Sequence, residues 1–264
     1  MKDEMRKSFL KTAWAGSRIH CFAQVDSTNN KAKELAKAGA LHGTLVLAEQ
    51  QTQGKGRSGK NWTTTPGEAV AMTLIVRPEV SPEKASMLTL VMGMAVAAAC
   101  RHLLNLPVQI KWPNDVVIHG KKVCGILTEM KAELHAIHYL VIGVGINVNM
   151  NSFSEEIKDV ATSLRLETGH SVNRKKLIGC CLRYFEEYYK IFEQTGDFSQ
   201  LQYLYQGLLV NLNTPVRVLE PGNEYSGISR GINEKGELLV EKEDKSVVAV
   251  FAGEVSVRGV YGYV

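Results

Sequence analysis

The sequence is poor in the features that mark membrane, secreted and metal-held proteins. No apolar stretch approaches the ~20 residues that a membrane-spanning helix needs. The longest, Met87 to Cys100, runs 14 residues and ends at Arg101 and His102, so it reads as a buried core helix and no membrane contact is expected. Cysteine is sparse and odd in number. Cys21, Cys100, Cys124, Cys180 and Cys181 form no CxxC pair and no Cys/His zinc spacing, which predicts thiols in a reducing cytosol and a cytoplasmic location. The opening MKDEMRKSFLKTAW mixes both charge signs and has no apolar stretch before a small-residue cleavage site, so no secretory signal is visible. An excess of one charge is also lacking. Lys and Arg number 31 against 27 Asp and Glu, a net +4, too little to imply nucleic acid without a basic face or stripe. The histidines make no triad-like or metal-like arrangement; His135 and His138 are the one close pair and read as ordinary structure.

What is present is an ordinary globular composition, 45% hydrophobic and 22% charged over 264 residues, a length that suggests about two domains. Residues 1–18 read as a charged lead-in helix or arm. Asp26-Ser27-Thr28-Asn29 offers N-cap side chains for a helix through Lys37, with Gly39 as its stop. Thr44 to Ala48 and Ala69 to Val76 are strand candidates on either side of a polar, glycine-rich stretch from Gln50 to Gly67. Ser81-Pro82-Glu83 predicts a helix start that continues through Met87–Cys100. Short β-rich segments follow at Val108–Lys111, Val116–Ile118, Val123–Met130 and Ile137–Val144, then a long helix over Arg174–Gln194 with Leu177, Ile178, Cys181, Leu182, Phe185, Tyr188 and Tyr189 on one face. After Thr214-Pro215 come five short strands, at Val216–Leu219, Tyr225–Ile232, Leu238–Val240, Val247–Phe251 and Val255–Val257, with turns such as Pro221-Gly222-Asn223 between them. The reading is an α+β domain over 1–212 and a small all-β barrel over 213–264, with no internal repeat.

Three clusters carry chemistry. Gly54-Lys55-Gly56-Arg57-Ser58-Gly59 matches G-x-G-x-x-G and, through Lys60, nearly matches a P-loop. Both patterns require a strand before and a helix after. Here Gln50–Gln53 intervenes and Asn61-Trp62-Thr63-Thr64-Thr65-Pro66 is poor helix material, so both are set aside. What remains is a backbone free to wrap a ligand, with Lys55, Arg57 and Lys60 suited to phosphate and Trp62 to a stacked purine; a solvated basic loop is the plain alternative. The second cluster is Lys111-Trp112-Pro113-Asn114-Asp115 followed by Gly120-Lys121-Lys122-Val123-Cys124-Gly125-Ile126-Leu127. Two strands joined by a turn place Asp115 beside Lys122, either as an anchor for an anionic substrate, with the acid fixing the amine or holding magnesium, or as an ordinary ion pair. The third, Gly143-Val144-Gly145-Ile146-Asn147-Val148-Asn149, lets backbone pass close to a ligand at a strand end.

Taken in order with Gln51, Thr128-Glu129 and the tail Gly253-Glu254-Val255-Ser256-Val257-Arg258, these segments resemble the biotin–protein ligases. The resemblance implies an α+β fold with a central mixed β-sheet flanked by helices, of the class II aminoacyl-tRNA synthetase and biotin ligase kind, followed by a small SH3-like barrel. It implies that biotin and ATP form biotinyl-5′-AMP and pyrophosphate, and that biotin then passes to a lysine of the biotin carboxyl carrier protein of acetyl-CoA carboxylase or a related carboxylase. Lys122, Arg57 and Asp115 are then the catalytic residues, with Asp115 orienting Lys122 or holding Mg2+. Biotin falls to Ser27, Thr28, Asn29, Gln51, Gly54, Lys55, Arg57, Lys122, Gly125 and Gly143. ATP and the adenylate fall to Lys55, Arg57, Lys60, Trp62, Lys111, Asn114, Lys122, Asn147 and Arg258, with Trp62 stacking on adenine. The family loop commonly carries arginine where this chain has Lys55 and Lys60, which keeps charge but loses the bidentate fork. The 25 residues before Asp26 are too few for the DNA-binding unit of the repressor forms, so a monofunctional ligase without a DNA partner is expected, and a homodimer is open. The alternatives are a lipoate–protein ligase and a non-catalytic biotin-sensing regulator.

Overall fold

The computed structural model describes residues 11–134, 136–220, 222–252, 256–259 and 263–264. Its main sheet has seven strands in the order β1 (Arg18–Val25), β2 (Thr44–Gln51), β3 (Ala69–Val76), β7 (Ala136–Asn147), β6 (Lys121–Glu133), β5 (Asp115–Ile118) and β4 (Val108–Lys111). Strands β1 and β2 run parallel and all other neighbours antiparallel, so the sheet is mixed as expected. Every residue of β3 is buried, because helices cover both faces there. On one face α1 (Thr28–Lys37) sets Ala32 and Ala36 against Val46, Ile75, Tyr139 and Val141. On the other lies α2 (Met87–Leu104), almost wholly buried as far as Cys100, as a segment without a polar face must be, with its last turn exposed. The long α4 (Arg174–Thr195) covers it with Leu177, Cys181, Leu182, Phe185 and Phe192; Asn173 caps it through the Lys176 N–H at 3.1 Å.

A second, five-stranded antiparallel sheet has the order β11 (Val247–Val250), β10 (Leu238–Glu241), β9 (Tyr225–Ile232), β8 (Pro215–Leu219) and β12 (Ser256–Gly259), the small SH3-like unit. It is not a free appendage. Val216, Val218, Ile232, Leu238 and Val240 continue the main core, and the turn before β10 reaches α2 and the main sheet, where the buried Trp112 Nε1 donates to the Gly236 carbonyl at 3.0 Å.

Several expectations need correction. Of the helix or arm expected over 1–18, residues 11–17 form no helix, and residues 1–10 lie outside the described residues. The strand β1 has no counterpart in the sequence reading. It sits at the sheet edge with no residue fully buried, which blurs the alternation that announces a strand; its place comes from pairing with β2 across the α1 crossover. Ser81-Pro82-Glu83 forms a separate 3-10 turn, Pro82–Lys84. Ser81 caps nothing there and bonds Glu83 instead, and α2 begins only at Met87. Two short helices, α3 (Leu164–Thr168) and α5 (Gln202–Gln206), were not foreseen. His135, Pro221, Gly253, Glu254 and Val255, which carry parts of the histidine pair, a turn and the tail motif, lie outside the described residues.

One side chain ties the leading segment to the core. The Glu186 carboxylate of α4 accepts the N–H groups of Ala13, Trp14 and Ala15 at 2.8, 2.5 and 2.5 Å, and Trp14 packs on Phe185 and Tyr189. Three donors on one charged acceptor are worth more than a neutral bond, so Glu186→Ala is expected to cost about 2 kcal/mol in urea unfolding and Glu186→Gln less than half of that.

Candidate active site

The β5–β6 turn does what the spacing required. Register opposes Asp115 to Gly125 and Val117 to Lys122, with an irregularity after Val116, and the Lys122 Nζ lies 2.6 Å from Asp115 Oδ1. The Asn114 side chain also donates to that oxygen, at 3.1 Å. Lys111 stands opposite Asp115 on β4 and is only 6% exposed. Burial pushes its ammonium down to about 8; Asp115 opposes that shift while Lys122, Arg258 and Lys60 add to it. The second oxygen of Asp115 accepts the hydroxyl of Tyr263, whose ring lies 4.2 Å from the Lys111 Nζ.

The glycine-rich segment is a tight hairpin and not the start of a helix, which justifies setting aside both nucleotide patterns. Trp62 N–H donates to the Gly54 carbonyl at 2.8 Å, Gly56 N–H to the Lys60 carbonyl at 2.7 Å, and the tip is one 3-10 turn, Arg57–Gly59. The Arg57 guanidinium reaches across to Asn114 Oδ1 at 3.0 Å and to the Ala252 carbonyl at 3.2 Å. It therefore joins loop, main sheet and second sheet. Its burial lowers its pKa, against the pull of Asp115.

Below the loop the sheet supplies a floor. At Gly145 a Cβ would overlap the Trp62 indole, and at Gly143 one would overlap the Asn29 side chain; only glycine allows these close approaches. The rim is a hydrogen-bonded chain. Thr28 N–H and Oγ1 both donate to Gln51 Oε1, at 2.8 and 2.9 Å, so Gln51 satisfies the start of the helix while Ser27, one of the candidate caps and the residue at the cap position, makes no side-chain cap. Thr73 Oγ1 lies 2.9 Å from Thr28 Oγ1 and donates to Asn29 Oδ1 at 2.7 Å, and Asn29 Nδ2 donates to Glu129 at 2.8 Å.

Two adjoining spaces result. The inner one, about 40 Å³, is lined by Ser27, Thr28, Asn29, Gln51, Lys55, Arg57, Trp62, Asn114, Lys122, Gly125, Gly143 and Gly145. The outer one, about 780 Å³, shares Lys55, Arg57 and Asn114 and adds Lys60, Asn61, Thr89, Thr128, Glu129 and Ala252. Such a volume holds a nucleotide-sized ligand. Most of the sequence-selected residues thus converge. Trp62 stands in the inner space over Gly145 rather than on the wall of the outer one, with its Nε1–H buried and without a partner. Gly54 packs behind Trp62. Lys111 sits beyond Asp115, with Arg258 close enough to act on its charge. Asn147 is turned away, donating to the Thr162 carbonyl at 3.1 Å.

The sequence reading missed Tyr263, Thr73 and a site role for Glu129, and it named Gly145 in the third cluster without giving it a ligand. Tyr263 had no readable signal. Asp115 does not fit as a magnesium ligand, because its two oxygens are already held by Lys122, Asn114 and Tyr263. Among the described residues no three His, Cys, Asp or Glu side chains form a metal cluster. The buried cysteines are not poised as nucleophiles: burial pushes the Cys124 and Cys181 thiols well up and that of Cys100 up to about 12.

Residues 21–147 match the profile of the biotin/lipoate A/B protein ligase family, and residues 212–258 match that of the biotin protein ligase C terminal domain. The bifunctional ligase/repressor BirA of Bacillus subtilis is 37% identical over 89% of this chain and 73% of its own length. The biotin–[acetyl-CoA-carboxylase] ligase of Mycobacterium tuberculosis is 34% identical over 95% of this chain and 93% of its own. The biotin protein ligase of Aquifex aeolicus, solved with biotin and ATP, superposes with a TM-score of 0.80 at 30% identity, covering 92% of this chain and 99% of that one. Sequence kinship and shape agree over both sheets, and the chain belongs to the biotin protein ligase family.

Proposed function

We propose that the protein activates biotin with ATP, releasing pyrophosphate and forming biotinyl-5′-AMP, and then transfers biotin to a lysine of a carboxylase carrier domain. The observation that carries this reading is the cluster of Lys122, Lys111 and Arg57 about one buried acid, at the junction of a small inner pocket and a nucleotide-sized cavity. In the first step the biotin carboxylate oxygen attacks the α-phosphorus and the bond to the β-phosphate oxygen breaks, so negative charge builds between the two spaces. Preorganised cations there stabilise the transition state without a covalent enzyme intermediate. In this scheme Ser27, Thr28, Asn29, Gln51 and the Gly143 floor hold the biotin ring. Lys122, oriented by Asp115, meets the biotin carboxylate and α-phosphate, Lys55, Arg57, Lys60 and Asn114 face the nucleotide, and Lys111 acts on it through its charge from behind Asp115. Trp62 closes the inner pocket and has a free N–H to offer the ligand. Magnesium comes with the ATP phosphates rather than on Asp115.

The direct test mixes the protein with ATP, magnesium, an apo carrier domain and either biotin or lipoate, and reads the carrier's mass. A biotin adduct is expected; a lipoyl adduct, or none with biotin, overturns the reading. Arg57 spans the cover over the adenylate, shielding it from water and stray amines. Arg57→Gly is therefore expected to release biotinyl-5′-AMP and to raise biotin incorporation into a bystander protein several-fold over the parent chain, scored by streptavidin blot. Lys111 carries its charge below about 8 and loses it as pH rises through that value. The KM for ATP is expected to climb between about pH 7 and about pH 9, whereas Lys111→Met gives a weaker affinity that stays flat across that range.

A further inference from the structure

Beyond the family motifs, one contact to Asp115 comes from a distant part of the chain. Residues 263–264 follow β12 and fold back onto the β5–β6 turn. A Cβ at Gly120, in that turn, would come within 3.1 Å of Val264 Cγ2, and one at Gly259 would overlap the Val264 carbonyl. The packing delivers the Tyr263 hydroxyl to Asp115 Oδ2 and its ring to the Lys111 ammonium, 4.2 Å away. Asp115 Oδ1 is meanwhile committed to Lys122 at 2.6 Å and Asn114 at 3.1 Å.

The geometry has a consequence for the division of labour. Lys111 lies opposite Asp115 in register, and a carboxylate free to rotate would be shared between two lysines. The phenol holds Oδ2 with a neutral donor and offers Lys111 a π-face instead, leaving the ionic partnership of Asp115 to Lys122. Burial raises the phenol's pKa, so it remains a donor across the working range.

We propose that Tyr263 is a positioning residue of the ligase reaction, pinning Asp115 so that Lys122 points at the reacting carboxylate and phosphate. This rests on the function proposed above. The test is a double-mutant cycle on the full chain, Tyr263→Phe with Asp115→Asn, followed by pyrophosphate release at saturating ATP with biotin varied. Tyr263→Phe keeps the ring on Lys111 and the docking of Val264 and removes only the hydroxyl. It is expected to lower kcat about tenfold with KM for biotin within about twofold. In the Asp115→Asn background the same change is expected to cost less than about twofold, since the group it acts through is gone. A Tyr263→Phe protein as fast as the parent, or equal losses in both backgrounds, overturns the proposal. General weakening of the fold would also lower both backgrounds alike and so counts against it. A parent chain that makes biotinyl-5′-AMP while Tyr263→Phe is unaffected sinks only this inference; a parent that releases no pyrophosphate with biotin sinks the ligase reading and this one together.

Discussion

The Asp115 carboxylate, 8% exposed on a four-residue strand, is the charge around which the site is built. Lys122 and Asn114 hold one oxygen and Tyr263 the other, while Lys111 and Arg57 lie within its field. Burial imposes a desolvation cost, visible in the lowered pKa of both Lys111 and Arg57, and at Lys111 repulsion from neighbouring cations adds to it. One acid offsets that cost only in part. The residual positive potential is what an anionic ligand, first a carboxylate and then an adenylate, would neutralise. Such an arrangement is less stable empty than filled, which is the condition for strong binding of charge that develops during reaction.

The rest of the structure serves that acid. Strands β4, β5 and β6 place Lys111, Asp115 and Lys122 by register alone. The hairpin from Gly54 to Trp62 closes over them, and Arg57 fastens it to Asn114 on one side and to the Ala252 carbonyl on the other. The second sheet is thereby a structural part of the site, joined also through Trp112 to the Gly236 carbonyl and through Tyr263 to Asp115. Glycines at 143 and 145 lower the floor so that Asn29 and Trp62 can sit on it. With Trp62 there, the inner pocket is narrow, about 40 Å³, room for a few water molecules.

Much of this was legible beforehand, unevenly. Strands β3, β4 and β9 and the helix α4 match their expected bounds to within a residue, because β3 is a continuous apolar run, α4 carries a helical apolar face, and β4 and β9 are short segments closed off by turn residues. The pairing of Asp115 with Lys122 followed from two short strands around Gly120. By contrast, β1 is an exposed edge with no strong period, and α3 and α5 are five-residue helices too short to show one. Ser27 and Ser81 both have the composition of caps and cap nothing. Gln51 serves the first end from a neighbouring strand, and the second breaks into a 3-10 turn.

By itself the sequence determined the α+β class, the change of texture near Pro215 and the local motifs that bring cations and glycines together, because those depend on neighbours within a few residues. The tertiary structure decided what each of them faces. It turned Asn147 toward Thr162, set Trp62 over Gly145, and gave both oxygens of Asp115 to nitrogen and phenol donors. Tyr263 lies 148 residues from Asp115, and no periodicity or spacing spans that distance. Only the packing of residues 263–264 onto the β5–β6 turn brings the two together.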